Sequence, residues 1–147
     1  MIEYRLLTEA EQKRAVIEAC DEAFSNPVSR RPQYETLLGK IHAYGDFVAA
    51  YDREPMGYVA MYANDLQSRT AYVTLLAVRP GCQGMGIGEG LMRAGLNLAK
   101  SRGMKAAKLE VKKDNHRAIR LYQRLGFVLL SDAAQDSVYM MNHFDEN

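Results

Sequence analysis

Cysteine is nearly missing: Cys20 and Cys82 are the only two in 147 residues. They cannot form a disulfide framework and have no metal-ligand spacing around them, which fits a reducing compartment and argues against a bound metal. The plain reading of both is a small buried hydrophobe. An excess of either charge is also missing. Lysine plus arginine number 19 against 18 aspartate plus glutamate, a net charge of +1, and the basic residues are scattered, so the electrostatic footprint of a nucleic-acid binder is absent. No apolar run approaches membrane-spanning length, and the first twelve residues, MIEYRLLTEAEQ, carry charges where a signal peptide needs an apolar core. The expectation is a cytoplasmic, soluble chain without a membrane partner. Internal repeats, low-complexity tracts and linkers are absent as well, and 48% hydrophobic composition is enough for one core, so residues 1–147 are expected to form a single domain.

What is present is punctuated α/β patterning. Ile2 to Leu7 reads as a short strand. Thr8 and Glu11 have capping-box spacing, which predicts a helix to about Phe24, broken by Asn26-Pro27. Pro32 suits a first helical position, and Tyr34, Leu37, Leu38, Ile41 and Tyr44 recur at helical spacing until Gly45. Phe47 to Tyr51, Met56 to Tyr62 and Thr70 to Val78 read as an antiparallel meander, separated by Asp52-Arg53-Glu54-Pro55 and by Asn64-Asp65. From Gly88 a helix runs to Gly103. A strand at Lys108–Val111, a helix at Asn115–Leu125 and two strands, Phe127–Leu130 and Ser137–His143, complete the chain. This order predicts a mixed α/β sheet with helices on both faces.

The residues Arg79 to Met92, RPGCQGMGIGEGLM, place five glycines in ten positions at a strand-to-helix junction. Glycine there costs conformational entropy, so the cluster needs a turn or a close backbone approach to justify it. A helix amino terminus with unpaired N–H groups, preceded by a glycine turn, suits a phosphate or pyrophosphate. A P-loop needs Lys-Ser or Lys-Thr after its last glycine, but Gly88 is followed by Glu89-Gly90. A dinucleotide fingerprint needs a third glycine where this chain has Glu89 or Leu91, although Glu110 lies at a distance that imitates its ribose-binding acid. The third option is the pyrophosphate of coenzyme A.

Gln83-Gly84-Met85-Gly86-Ile87-Gly88 resembles the Gln/Arg-x-x-Gly-x-Gly/Ala signature of the GNAT superfamily of N-acetyltransferases. The stretch LEVKKDNHRAIRLYQRLGF, Leu109 to Phe127, is similar to that superfamily's second acetyl-coenzyme A segment through Asn115, Ala118, Tyr122, Gly126 and Phe127. The element order fits the GNAT fold along nearly the whole chain; the first 65 residues carry no family-specific motif. The resemblance implies a mostly antiparallel twisted sheet with one splayed parallel pair, here the strands ending at Val78 and Val111, between which the pantetheine arm lies. It implies acetyl-CoA as cosubstrate, held by Leu76, Ala77, Val78, Gln83, Gly84, Met85, Gly86, Ile87, Gly88, Asn115 and Ala118. The Leu76 N–H is placed by position against the acetyl carbonyl. Asn115 bonds the pantetheine or caps its helix.

Acetyl transfer from a thioester to an amine needs a neutral nucleophile, a polarised carbonyl and a proton for the leaving thiolate. The resemblance gives the last task to Tyr122, whose phenol is protonated at neutral pH; helical periodicity alone reads it as a packing aromatic beside Ile119 and Leu125. Glu110, twelve positions earlier, matches the base of the superfamily's ribosomal-protein acetyltransferases and would act through water; otherwise it is a strand carboxylate paired with a nearby lysine. Tyr72, Thr74 and Asn64 fall toward the acceptor side, and Asp65, Arg30 and Arg31 read as solvated loop charges. The acceptor class is a primary amine, on a small molecule, a protein amino terminus or a lysine, reached by direct transfer without metal or covalent enzyme intermediate. No activating group accompanies either cysteine. A non-catalytic acyl-CoA sensor is the alternative, and a homodimer is compatible with the sequence.

Overall fold

Tyr, Val, Phe and Met concentrate where the chain extends, and the strands form there. In the computed structural model, which describes residues 1–144, the order is β1 (Glu3–Leu6), α1 (Ala10–Ala19), 3-10 turns at Asp21–Ala23 and Val28–Arg30, α2 (Tyr34–Tyr44), β2 (Asp46–Asp52), β3 (Glu54–Tyr62) and β4 (Thr70–Val78). A third 3-10 turn (Pro80–Cys82), α3 (Ile87–Ser101), β5 (Ala106–Lys112), α4 (His116–Arg124), β6 (Val128–Asp132) and β7 (Ser137–His143) follow. The strands make one sheet in the order β1-β2-β3-β4-β5-β7-β6. Among the described residues only β4 and β5 pair in parallel, and α3 provides the crossover that such a pair needs. Among the described residues no helix is long and apolar enough to cross a membrane.

Each sheet face carries its own core. Val59, Met61, Leu109 and Phe127 pack with Leu91 and Met92 of α3 on one side, while Phe47, Tyr58, Leu75 and Ala77 pack with Ile17 of α1 and Leu38 and Ile41 of α2 on the other. The Phe47 and Tyr58 rings stack at 5.0 Å on this second side. β4 changes allegiance along its length. Ala71 and Val73 belong to the α3 side, but Leu75 and Ala77 belong to the α1–α2 side. A strand with strict period two cannot do this; the register supplies the cause, because Ala60 pairs with Leu75 and Met61 with Val73, leaving Thr74 as an extra, bulged residue.

The structure differs from the local expectations at four places. The capping box at Thr8 and Glu11 does not form: α1 begins at Ala10 behind Glu9, with no side-chain cap, because the Leu7 N–H still bonds Phe47 O and keeps the chain extended. α1 also ends at Ala19 rather than near Phe24, passing into a 3-10 turn. Pro32 lies in the turn before α2 rather than at its first position, with the Tyr34 N–H bonded to Arg31 O. The break between β2 and β3 shrinks to a tight turn around Arg53 at φ 70°, so Glu54 and Pro55 join the strand.

Gly57 marks where β3 must approach β4 without a side chain. A Cβ there would sit 2.5 Å from the Ala77 carbonyl oxygen and 3.1 Å from Leu91 Cδ1. Because the first obstacle is backbone, Gly57→Ala should destabilise the fold by about 1–3 kcal/mol, read as a lower urea midpoint at unchanged slope.

Candidate active site

The Thr74 bulge turns β4 away from β5. Parallel pairing covers only Thr70–Val73 against Ala106–Leu109, and beyond it the two strands diverge while each keeps its other neighbour. The consequence follows from antiparallel alternation. The Arg79 N–H bonds Met56 O, so Ala77 and Leu75 occupy the positions bonded to β3, while Leu76 and Val78 aim their backbone groups into the gap. On β5 the Lys113 N–H bonds Asp136 O, and the same alternation aims the backbone of Glu110 and Lys112 into the gap from the other side. Two free strand edges therefore face each other across the opening.

The glycine run closes one end of this opening, and its members are there for different reasons. Gly84 and Gly86 have φ of 85° and 76°, left-handed values that let the chain turn into α3, and a Cβ at either would meet nothing within 4 Å. Gly90 instead makes room for Tyr4, whose hydroxyl oxygen would be 2.0 Å from a Cβ there. Gly86 is the N-cap of α3 and supplies no side-chain acceptor, so the first N–H groups of a 15-residue helix stay available for an anion.

A groove of about 560 Å³ runs from this loop to the gap. It brings together Leu76, Ala77, Val78, Gln83, Gly84, Gly86, Ile87, Gly88, Asn115, Ala118 and Tyr122. Met85 does not line it; its side chain is about half exposed. Arg117, Arg120 and Arg124 line it too and were not anticipated, although their spacing of three and four puts them on one helical face. Arg117 Nη1 donates to Gln83 Oε1 at 2.9 Å, tying α4 to the loop, and Arg124 lies 3.8 Å from Glu89.

Tyr122 is 8% exposed, packs against Phe127 with ring centroids 5.8 Å apart, and its hydroxyl has no hydrogen-bond partner among the described residues. Burial pushes its pKa up to about 12. Asn115 is a helix cap: its Oδ1 accepts from the Ala118 N–H at 3.3 Å, while its side chain also borders the groove. Glu110 lies outside the groove lining. β5 alternates so that Leu109 and Val111 enter the core beside Tyr122, which leaves Glu110 on the opposite face. Its partner is the hydroxyl of Ser137, at 2.5 Å, and not a lysine. Tyr72 shares that face and has its pKa raised by burial and then by the neighbouring Glu110 and Tyr139.

Thr74 is the bulged residue itself. Asn64 stands apart, donating to the Tyr44 carbonyl at the end of α2. Asp65 accepts from the Gln67 and Ser68 N–H groups, which hold its pKa low, and Arg31 binds the Asn26 carbonyl, so both serve their loops.

A family model described as the acetyltransferase (GNAT) family matches residues 13–127. The chain belongs to the GNAT family. Its fold aligns with the crystal structure of PaiA N-acetyltransferase from Thermoplasma acidophilum in complex with coenzyme A, at a TM-score of 0.81 and 20% identity over 98% of this chain and 99% of that one. It aligns likewise with the ribosomal-protein-S18-alanine N-acetyltransferase of Escherichia coli, at 0.82 and 18% over 100% and 96%. By sequence it is 39% identical over 85 residues to a mycothiol acetyltransferase of Streptomyces avermitilis. That match covers 56% of this chain but only about a quarter (27%) of that protein.

Acetyl-CoA is the cosubstrate of the GNAT family, and the donor set fits it. A pyrophosphate suits the free N–H groups of α3 beside three arginines, and an amide-bearing arm suits two unpaired strand edges. Gly86→Val forces a β-branched residue into left-handed backbone at a cost of order 1–3 kcal/mol. Since nothing crowds the position, the protein should stay folded while acetyl-CoA affinity falls at least about tenfold in calorimetric titration. Unchanged affinity in a folded variant would remove the loop from the site.

Proposed function

We propose that the chain transfers the acetyl group of acetyl-CoA directly to a primary amine, with Tyr122 as general acid and Glu110 as a water-mediated base. The observation that carries this reading is the unpartnered Tyr122 hydroxyl in the groove that joins the glycine loop to the splayed strands. Acetyl-CoA supplies an activated acyl carbonyl on a thiol leaving group. The Leu76 N–H, aimed into the gap by register, donates to the carbonyl oxygen as it gains charge. The amine nitrogen bonds to the carbonyl carbon, its proton leaving through water to Glu110. As the carbon–sulfur bond breaks, Tyr122 Oη gives its proton to sulfur. Gln83 to Gly88, with Arg117 and Arg120, hold the phosphates.

Tyr122→Phe keeps the ring and its contact with Phe127 but removes the proton donor. Turnover should fall at least about tenfold, within the usual range of about 100-fold to 10,000-fold for a general acid, with acetyl-CoA affinity unchanged. A parent rate from a variant that still binds acetyl-CoA would return Tyr122 to a packing role. Binding of acetyl-CoA with no thiol release for any amine in an acceptor panel would point to an acyl-CoA sensor instead.

The two proposed proton carriers act on different limbs of the pH profile. Because the folded pKa of Tyr122 lies above its unfolded value near 10, the neutral phenol is favoured by folding. That contribution is complete below about pH 10 and fades as pH rises through about 12. The rate should therefore show no alkaline loss from Tyr122 up to pH 10. Glu110→Gln should lower turnover mainly at low pH, where the amine most needs help losing its proton; a normal pH-rate profile would leave Glu110 a structural carboxylate.

A further inference from the structure

On the sheet face opposite the cofactor groove, Tyr62, Tyr72 and Lys108 occupy one rung across β3, β4 and β5. Tyr139 pairs with Glu110 one step nearer the splay. Helices α1 and α2 pack over β2 and β3, not over β5 and β7, so this end of the face is open. Its charges are unevenly satisfied. Lys112 is neutralised by Asp136 at 2.8 Å and Lys113 by Asp132 at 3.5 Å. Lys108 has no carboxylate partner among the described residues; its ammonium rests 4.1 Å from the Tyr139 ring centroid. Lys40 of α2 likewise has only the Tyr62 ring, at 5.3 Å. The Tyr62 hydroxyl is buried without a hydrogen-bond partner.

We infer that the acceptor is an amine carrying a carboxylate a few ångströms away, the amine facing Glu110 across a water and the carboxylate meeting Lys108. The inference rests on the reading of the splay as the transfer site and adds the substrate class. Glu110 and Lys108 are two residues apart on one strand, about 7 Å between their Cα positions. That is the reach from a peptide amino terminus to an acidic side chain at its second residue, or from the amine to the side-chain carboxylate of a free acidic amino acid. A polyamine or aminoglycoside would bring further cations against Lys108 and Lys40, with one carboxylate to answer them. Like charges so placed are selected against even where the matched pair adds little affinity.

The test compares alanyl-glutamate amide, alanyl-glutamine amide, alanyl-lysine amide, free glutamate and spermidine as acceptors by kcat/KM with thiol detection. Alanyl-glutamate amide should exceed the glutamine peptide by roughly twofold to fivefold and the lysine peptide by more, with spermidine poorest. Free glutamate matching or exceeding the glutamate peptide would identify the free amino acid as the source; a large deficit would identify the peptide terminus. Lys108→Glu should reverse the glutamate-to-lysine ratio, and Lys108→Met should flatten it. These ratios are internal to each variant, so a loss of stability does not mask them. A preference for the lysine peptide or spermidine in the parent, or a ratio indifferent to Lys108→Glu, overturns the inference. If no acceptor releases thiol, the proposed function fails, and calorimetric binding of the same peptides to the CoA-saturated chain, where the same order is expected, decides the inference separately.

Discussion

One extra residue in β4 is the constraint on which the site depends. Without the Thr74 bulge, β4 would continue its ladder with β5, and the backbone groups of Leu76 and Val78 would be spent on sheet hydrogen bonds. With it, the strand twists out of register, its side chains exchange cores, and two edges open inside a sheet that is otherwise fully paired there. Unpaired strand edges are normally a hazard, since they recruit another chain. Here they lie inside the sheet, floored by packed helices, where only a narrow polar arm fits.

The loop and α4 complete this opening because they hang from the same two strands. The glycine loop follows β4 and α4 follows β5, so divergence of the strands sets the width between loop and helix, and the Arg117–Gln83 bond closes the top. Gly57 of β3 lies close beside β4 and Gly90 receives Tyr4, so two glycines hold the loop's supports at short range while Gly84 and Gly86 shape the loop itself. The flexibility concentrated in the sequence serves a frame that is fixed on nearly every side.

Most of the fold was legible because its signals are local. Helical spacing at Tyr34 to Tyr44, the β-rich runs and the two family motifs each report a few adjacent residues, and the structure has these elements with ends shifted by a few positions. The misreadings were contests that local sequence does not register. Thr8 lost its cap because the preceding Leu7 N–H bonds Phe47 O on the far side of the α1–α2 excursion, and Glu110 found Ser137 rather than a lysine because β7 pairs with β5. The bulge was invisible for the same reason: Thr70 to Val78 reads as one uninterrupted strand, and only its register with β3 shows that Thr74 is surplus. The three groove arginines were visible as spacing, but the face of α4 that meets the groove depends on where β5 delivers the helix.

The buried acid raises a question of proton affinity. A phenol pushed up to about 12 is a poor donor to a thiolate of ordinary pKa near 8.5, since the transfer would run uphill by more than three pH units. The comparison with water is the wrong one, because desolvation raises every group whose charged form is anionic. Cys20 shows the size of the effect in this protein: burial pushes its thiol up to about 12 as well. A thiolate released against the same apolar wall as Tyr122 would be raised in the same direction as its donor, which narrows the gap between them. Glu110 lies on the other, exposed face of β5, away from that apolar wall. In the proposed reaction the sheet thus keeps acid and base in separate dielectric surroundings and out of hydrogen-bond reach of each other, so neither neutralises the other before the acetyl group moves.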